Sequence, residues 1–471
     1  MRKTTLIFLA VAAALGGYIY YSEFRNVKEK PAEDAPKPLY TFASDDITSI
    51  QISRPGESAP ITLVRGADGW TLTSPISTKA DRRNADSVAD ALARVSSLRS
   101  LPADPARIKE FGLDPPAASV EIHLKSGPVQ KIDFGGRDFS ESNVYARQGG
   151  SKDVVLIPNS VLTEVARPVL ELRDRSALAL NNWSLTELDF HTPKAKFRVE
   201  KTADRWNMTE PRPAPADTDD VEGFKNALSA EKFSDVVEED AHDASNPRYG
   251  FTTPEVTVHV RNEQGGEGTL LIGKKDGDKY FARDAARPMI FHVGEALFKK
   301  FSDASFTSLR DKHVLRGSAA DFSHVSVRNE KTTMAATLAA PAAPASAAGS
   351  GQPGGAAPAA TPATPAAPKW LVDEPADRKG KEFTFSSIIE PLINERAVEV
   401  MDPPSPAITA KLAKPAVELK LTDKKGGVIT IVVSAKDGDN VYVRSSQSPA
   451  VFKFPGYILS QLNFAPEAVT Q

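Results

Sequence analysis

Trp70-Thr71-Leu72-Thr73-Ser74-Pro75 is the stretch on which the fold turns, because the chain writes it three times. It returns as Trp206-Asn207-Met208-Thr209-Glu210-Pro211 and as Trp370-Leu371-Val372-Asp373-Glu374-Pro375. Downstream of each copy a proline (Pro116, Pro254, Pro415) opens a strand-like run. An aromatic-x-Arg phrase follows each time: Tyr145-Ala146-Arg147, Phe281-Ala282-Arg283 and Tyr442-Val443-Arg444. A further phrase, Leu172-Arg173-Asp174-Arg175, recurs as Leu309-Arg310-Asp311-Lys312, with a leucine three residues beyond each (Leu178, Leu315). The third copy shows no such phrase beyond Phe464. Independent markers with one period mean a supersecondary unit copied in tandem.

Inside the first copy, Ile47–Ser53, Ile61–Arg65 and Trp70–Thr73 are β-branched or aromatic runs separated by Pro55-Gly56 and Gly66-Ala67-Asp68-Gly69, which predicts a meander. Asp81 is placed to cap a helix whose apolar stripe is Val88, Leu92, Val95 and Leu98. Its counterpart begins at Asp217 and runs through Val221, Phe224 and Leu228. Ser119–Leu124, Lys131–Phe134, Val144–Arg147 and Val154–Ile157 predict a second strand group, closed by a short helix near Val161–Val169. Short turns between strands favour antiparallel pairing. The expected architecture is α+β, three tandem antiparallel-sheet-plus-helix modules over residues 39–178, 179–318 and 319–471.

Between Leu338 and Lys369 the third module carries fourteen alanines, seven prolines and no charge. Prolines at that density block the helix that alanine alone would favour, so residues 339–368 are expected to be disordered or partly polyproline II. The insertion falls where the first module has its Gly66–Gly69 turn, which marks it as a loop inside a domain rather than a linker.

The 471 residues carry a net charge of −3 and 25% charged side chains, which argues against nucleic acid as the main partner. The absence of cysteine excludes disulfides, thiolate metal ligands and a thiol nucleophile. Arg2 and Lys3 precede an apolar run from Leu6 to Tyr21, with Tyr18, Tyr20 and Tyr21 placed as an interfacial belt. We read residues 1–5 as cytoplasmic, 6–22 as an uncleaved transmembrane anchor in a bacterial inner membrane, and 23–38 as a Pro-rich stalk. The bulk would then be periplasmic.

The repeated residues have structural and functional readings. Each Trp is placed to cover the core edge, and Pro75, Pro211 and Pro375 to end their strands; ligand stacking by the indoles is the alternative. In the aromatic-x-Arg phrases, Tyr145 and Arg147, Phe281 and Arg283, and Tyr442 and Arg444 share a strand face. The guanidinium there is free to hold a carboxylate within the sheet or in a partner. Lys275-Asp276-Gly277-Asp278 and Lys436-Asp437-Gly438-Asp439 are hairpin turns rather than calcium loops, lacking the further oxygen ligands. The Leu-Arg-Asp-basic ending, falling at module junctions, is expected to pack between modules. The seven histidines show no zinc spacing, and no P-loop, dinucleotide fingerprint or Gly-x-Ser-x-Gly elbow is present. No catalytic, cofactor or metal residue is therefore assigned.

Trp-x4-Pro-x4-Ala-Asp, with Phe111-Gly112-Leu113-Asp114-Pro115-Pro116 and Val144-Tyr145-Ala146-Arg147, resembles the bacterial family called domain of unknown function 4340. The second module departs at Tyr249-Gly250-Phe251-Thr252-Thr253-Pro254, and the third keeps only Leu412 and Pro415 of that stretch. The resemblance implies an N-terminal anchor, and genes beside ABC-transporter permease, ATPase and gliding-motility-type auxiliary components. It transfers no catalytic residue. The function expected is that of a non-enzymatic, extracytoplasmic accessory or scaffold protein of an ABC-type transport or envelope-assembly complex, offering sheet edges to partner strands. The alternative is an envelope-glycan binder using the repeated Trp and aromatic-Arg positions.

Overall fold

The computed structural model describes Tyr18 and residues 36–102, 107–180, 182–203, 205–241, 243–339 and 369–470. The expected anchor and stalk, apart from Tyr18 and the last stalk residues, and the Ala/Pro-rich insertion from 340 to 368, lie outside the described residues. Among those described, no helix is long and apolar enough to cross a membrane.

The chain forms three nine-stranded sheets with one and the same strand order. In the first, Ile47–Ser53 occupies the middle and pairs antiparallel with both Ile61–Gly66 and Ala118–Leu124. Gly69–Ser74 and Thr78–Lys79 extend one side. Gln130–Arg137, Asn143–Gln148, Val154–Pro158 and Arg99–Leu101 extend the other. Two meanders thus meet at their first strands, and the helix Arg82–Ala93 lies in the connection between them. A separate two-stranded pairing joins Lys37–Pro38 to Ser96–Ser97.

Alternation selects the buried face. Ile50, Ile52, Val120, Ile122, Ile132, Phe134, Val144 and Ala146 form one cluster with Ala85, Val88, Ala89 and Leu92 of the helix. Each valine, leucine, isoleucine or phenylalanine among them contributes roughly 1.5–3 kcal/mol when fully removed from water. Asp81 caps the helix as expected, accepting from Asn84 N at 3.0 Å. The helix stops at Ala93, earlier than the stripe implied. Val95 is still buried beyond its end, but Leu98 lies in the extended chain that follows, its N–H donating to Leu156 O. In the second module the expected stripe is intact: Val221, Phe224 and Leu228 are buried on the helix Thr218–Ala230.

A second, smaller cluster forms in each module. The aromatic of the aromatic-x-Arg phrase packs there against the loop ahead of the Pro-initiated strand: Tyr145 with Phe111 and Leu113, Phe281 with Tyr249, Tyr442 with Leu412. In modules one and two the loop carbonyl meets a strand amide, Gly136 N to Phe111 O at 2.7 Å and Lys274 N to Tyr249 O at 2.8 Å. Glycines 135 and 273 permit that approach, because a Cβ would stand 2.2 and 1.9 Å from those oxygens.

Residues 339 and 369, which flank the insertion, are joined by a hydrogen bond from Ala339 N to Lys369 O (2.8 Å), at the tip of the hairpin pairing Thr333–Leu338 with Trp370–Glu374. Both Asp-Gly turns are hairpins, with Gly277 and Gly438 at φ +63° and +61°. The third module lacks the phrase but still has a closing contact beyond Phe464: Thr470 bridges Phe383, and Thr384 N donates to Val469 O, so the backbone device survives without the Arg-Asp pair. One expectation needs correction. The sheet edges are two- and three-residue strands, such as Thr78–Lys79 and Arg99–Leu101 or Glu382–Phe383 and Glu399–Met401. Strands that short present too few unpaired groups to template a partner strand.

By contact density the chain forms two compact units. One ends at Ser176 and includes Lys232–Val236; the other comprises Ala177–Glu231 and Val237–Gln471, and so holds most of the second module and the whole third.

Candidate functional site

All three signature indoles are buried, at 2%, 4% and 3% exposure for Trp70, Trp206 and Trp370. Trp70 donates Nε1 to Asp86 (2.8 Å) beneath the Arg65 guanidinium, and Trp370 packs on Phe385. None of these three indoles is exposed enough to stack a sugar on its face. Each strand ends at its proline, and Pro75, Pro211 and Pro375 all follow cis peptide bonds. Arg147 reaches across the sheet to Asp133 (3.0 Å), an intramodular pair, while Arg283 contacts the Arg287 carbonyl. The cations over Phe281 and Tyr442 come instead from Arg248 and Lys411. Arg444 lies half-buried on the strand after Tyr442. These residues hold each module together and do not converge on a common site.

Convergence occurs elsewhere, at the Leu-Arg-Asp-basic ending. In the unit that contains both modules two and three, Arg310 bridges Ala216, Asp217 N donates to Leu309 O (2.9 Å) and Asp311 N donates to Pro215 O (3.0 Å). The ending is thereby laid along the entrance to the helix Thr218–Ala230. Lys312 O accepts from Ala397 N of the third module (2.9 Å). The first unit repeats the arrangement: Asp81 N to Leu172 O, Asp174 N to Lys79 O and Phe233 N to Arg175 O. The phrase is a junction device, as its position implied.

The second copy is far more heavily charged. Asp217, fully buried, caps the helix through the amides of Asp219 and Asp220 (3.0 and 3.3 Å). Arg396 of module three stands 3.1 Å from its Oδ2 and 2.9 Å from Asp220. Asp311 accepts from the amide and Nδ1 of His313 (2.9 and 3.0 Å) and from both Nε and Nη2 of Arg316 (2.8 and 2.6 Å). Arg310, 3% exposed, donates to Pro215 O (3.2 Å) and Ser448 Oγ (3.3 Å) and lies 3.6 Å from Asp402. Its Nε is buried without a hydrogen bond. Burial pulls the Arg310 pKa below the usual arginine range against the raising influence of Asp402 and Asp311.

Asp217, Asp311 and His313 lie close enough together to share a cation. Guanidinium groups already occupy both carboxylates, however, so a metal would have to displace Arg316 and Arg396. The arrangement is that of an ion-pair network. Burial works to raise the Asp311 pKa, but the hydrogen bonds from His313 and Arg316 outweigh it and hold the carboxyl at about 2. With the folded value below the unfolded one, Asp311 stabilises fully above about pH 4, and that contribution fades as pH falls toward 2. It amounts to about 2.5 kcal/mol. The melting-temperature gap between wild type and Asp311→Asn is therefore expected to be constant at neutral pH and to narrow below pH 4. A gap independent of pH would contradict this.

Beside the network lies a cavity of about 500 Å³. It is lined by Arg205, Arg310, Arg316, His313 and Asp311 from module two and its ending, and by Gln447, Ser448 and Phe452 from module three. Trp206 forms part of its wall. Reading single motifs does not find this site. Asp217, Arg310 and Asp311 stand out as repeats, whereas His313, Arg316, Arg396 and Ser448 become visible only as departures from the repeat, where the sister modules carry something else.

A family model for Domain of unknown function (DUF4340) matches residues 70–207 and 206–354. Both matches begin at a signature tryptophan, so the repeat is recognised with the phase that the sequence shows. No curated protein and no solved structure matches the chain.

Proposed function

The chain belongs to the DUF4340 family, matched over more than half its length, and from that premise we propose a non-enzymatic, membrane-anchored accessory protein. It works outside the cytoplasm as a contact scaffold for an ABC-type transport or envelope-assembly complex. The observation that carries this reading is the use made of the repeated residues. Buried tryptophans, satellite aromatics and the Arg310–Asp311 ending are spent on building modules and joining them, and among the described residues none of these repeated positions pairs a nucleophile with a base. Three modules of one fold offer repeated outer faces suited to partner proteins. With edge strands so short, partners would meet sheet faces and loops rather than add strands. The anchor and the gene-neighbour expectation supply the membrane and transporter parts of the proposal. A glycan-binding role would have to do without the indoles.

Gentle detergent extraction of the full-length tagged protein, followed by crosslinking and identification of what comes with it, tests the proposal. Permease, ATPase or auxiliary envelope subunits are expected in stoichiometric amounts. Recovery of the protein alone, under conditions that keep a known transporter complex intact, would count decisively against it.

A further inference from the structure

We propose that the cavity at the junction of modules two and three is a binding site for a small oxyanion-bearing ligand, a phosphate or carboxylate group on a compact molecule. The argument comes from the repeat itself. The loop Ala285-Ala286-Arg287-Pro288-Met289 of module two corresponds, residue for residue, to Ser446-Gln447-Ser448-Pro449-Ala450 of module three. Both loops make the same backbone bonds, Ala285 N to Thr269 O and Ser446 N to Thr430 O, then Arg287 N to Asp284 O and Ser448 N to Ser445 O. In module two the space is filled by an ion pair, Arg287 Nε to Asp284 Oδ2 at 3.0 Å, and Arg287 Nη2 also donates to Ala177 O at 2.7 Å. Module three has Ser445 and Ser448 in those two places. The short side chains leave room, and Ser448 lines the cavity.

The wall facing that space has changed in the opposite sense. Ser176 and Ala179, which follow the first copy of the ending, correspond to His313 and Arg316 after the second. The cavity is therefore emptied on one side and equipped with an imidazole and a guanidinium on the other. Arg205, Arg310 and Arg316 outnumber the single lining carboxylate, Asp311, which pairs with Arg316, while Asp402 stands 3.6 Å from Arg310 and Arg205 is left without a counter-charge among the described residues. Arg310 brings a buried Nε that has no acceptor, a state it shares with Arg54 and Arg65 but here at the wall of a cavity. Arg205 is exposed and makes no ion pair among the described residues, and Ser448, Gln447 and Asn207 add neutral donors. Planar guanidinium donors around a small basin suit a two- or three-oxygen anion. The volume fits a compact ligand.

The test uses the full-length protein in detergent, with melting temperature followed against inorganic phosphate, citrate and chloride at equal ionic strength. Phosphate or citrate should raise it saturably and chloride should not; which of the two is stronger identifies phosphoryl or carboxylate ligands. Refilling the space as module two fills it, with Ser445→Asp and Ser448→Arg together, should abolish the rise. Arg205→Gln, on an exposed side chain outside the buried network, should weaken binding by roughly tenfold while leaving the unliganded melting temperature unchanged. No saturable effect beyond chloride, or one that survives both variants, overturns the proposal. The site is independent of the accessory role: binding can be absent while partners co-purify, and the reverse.

Discussion

Gly273→Ala is expected to destabilise the second module by about 3 kcal/mol or more, since among the described glycines it is the one whose added methyl group would meet the closest atom. The added Cβ would lie 1.9 Å from the Tyr249 carbonyl oxygen and 3.1 Å from the Phe251 ring. Neither can yield cheaply. Tyr249 is 2% exposed, stacks with Phe251 and meets Phe281 edge-on, and its carbonyl accepts from Lys274 N. Relief requires the loop to lift from the strand, which breaks that hydrogen bond and opens the satellite cluster. Gly135→Ala should behave alike in module one, with its Cβ 2.2 Å from Phe111 O. Module three supplies the control. Ser434 holds the corresponding place, and its hydroxyl bonds to Ala435 O and receives the Tyr442 amide. Adding a side chain is therefore harmful only where a loop carbonyl sits on the strand. Calorimetry on the three-module protein should show one transition displaced in each glycine variant; an unshifted Gly273→Ala profile would disprove the close approach.

The second large effect concerns equivalent aspartates with unequal surroundings. Asp81 and Asp217 cap corresponding helices, but Asp217 is fully buried and faces Arg396 at 3.1 Å. Losing a cap costs about 1 kcal/mol. Asp217→Ala should reach about 3 kcal/mol, because it also leaves a guanidinium at the junction facing only Asp219 and Asp220. Asp81→Ala should stay near the cap value. Adding Arg396→Met to Asp217→Ala should recover part of the loss, the signature of a coupled pair. If the two alanine variants destabilise equally, the junction network contributes nothing through Asp217.

How much of this the sequence disclosed depends on the range of each signal. Asp81, the Val221-Phe224-Leu228 stripe and the Asp-Gly hairpins were legible because each is a local pattern with a local cause. The helix of module three, Ser386–Asn394, was hidden: it has no side-chain cap and contains Pro391. Val95 and Leu98 misled because both follow the helical spacing, and the chain keeps burying apolar groups after the helix ends. Edge strands of two residues carry no periodicity to read. The junction was half visible. Repetition exposed Arg310 and Asp311, but the partners Arg396, Asp402 and Ser448 are far along the chain, and no spacing rule links them. Comparing sister modules position by position is what reveals the cavity, since a residue changed against its own copies has lost the reason its siblings keep.

The hydrogen bond between Ala339 and Lys369 has a practical corollary. With both ends of that excursion stapled together where two strands meet, whatever is threaded between them leaves the pairing beneath it undisturbed. A fluorescent protein or affinity handle spliced there would decorate the molecule without taxing it, and would report where in the cell it resides.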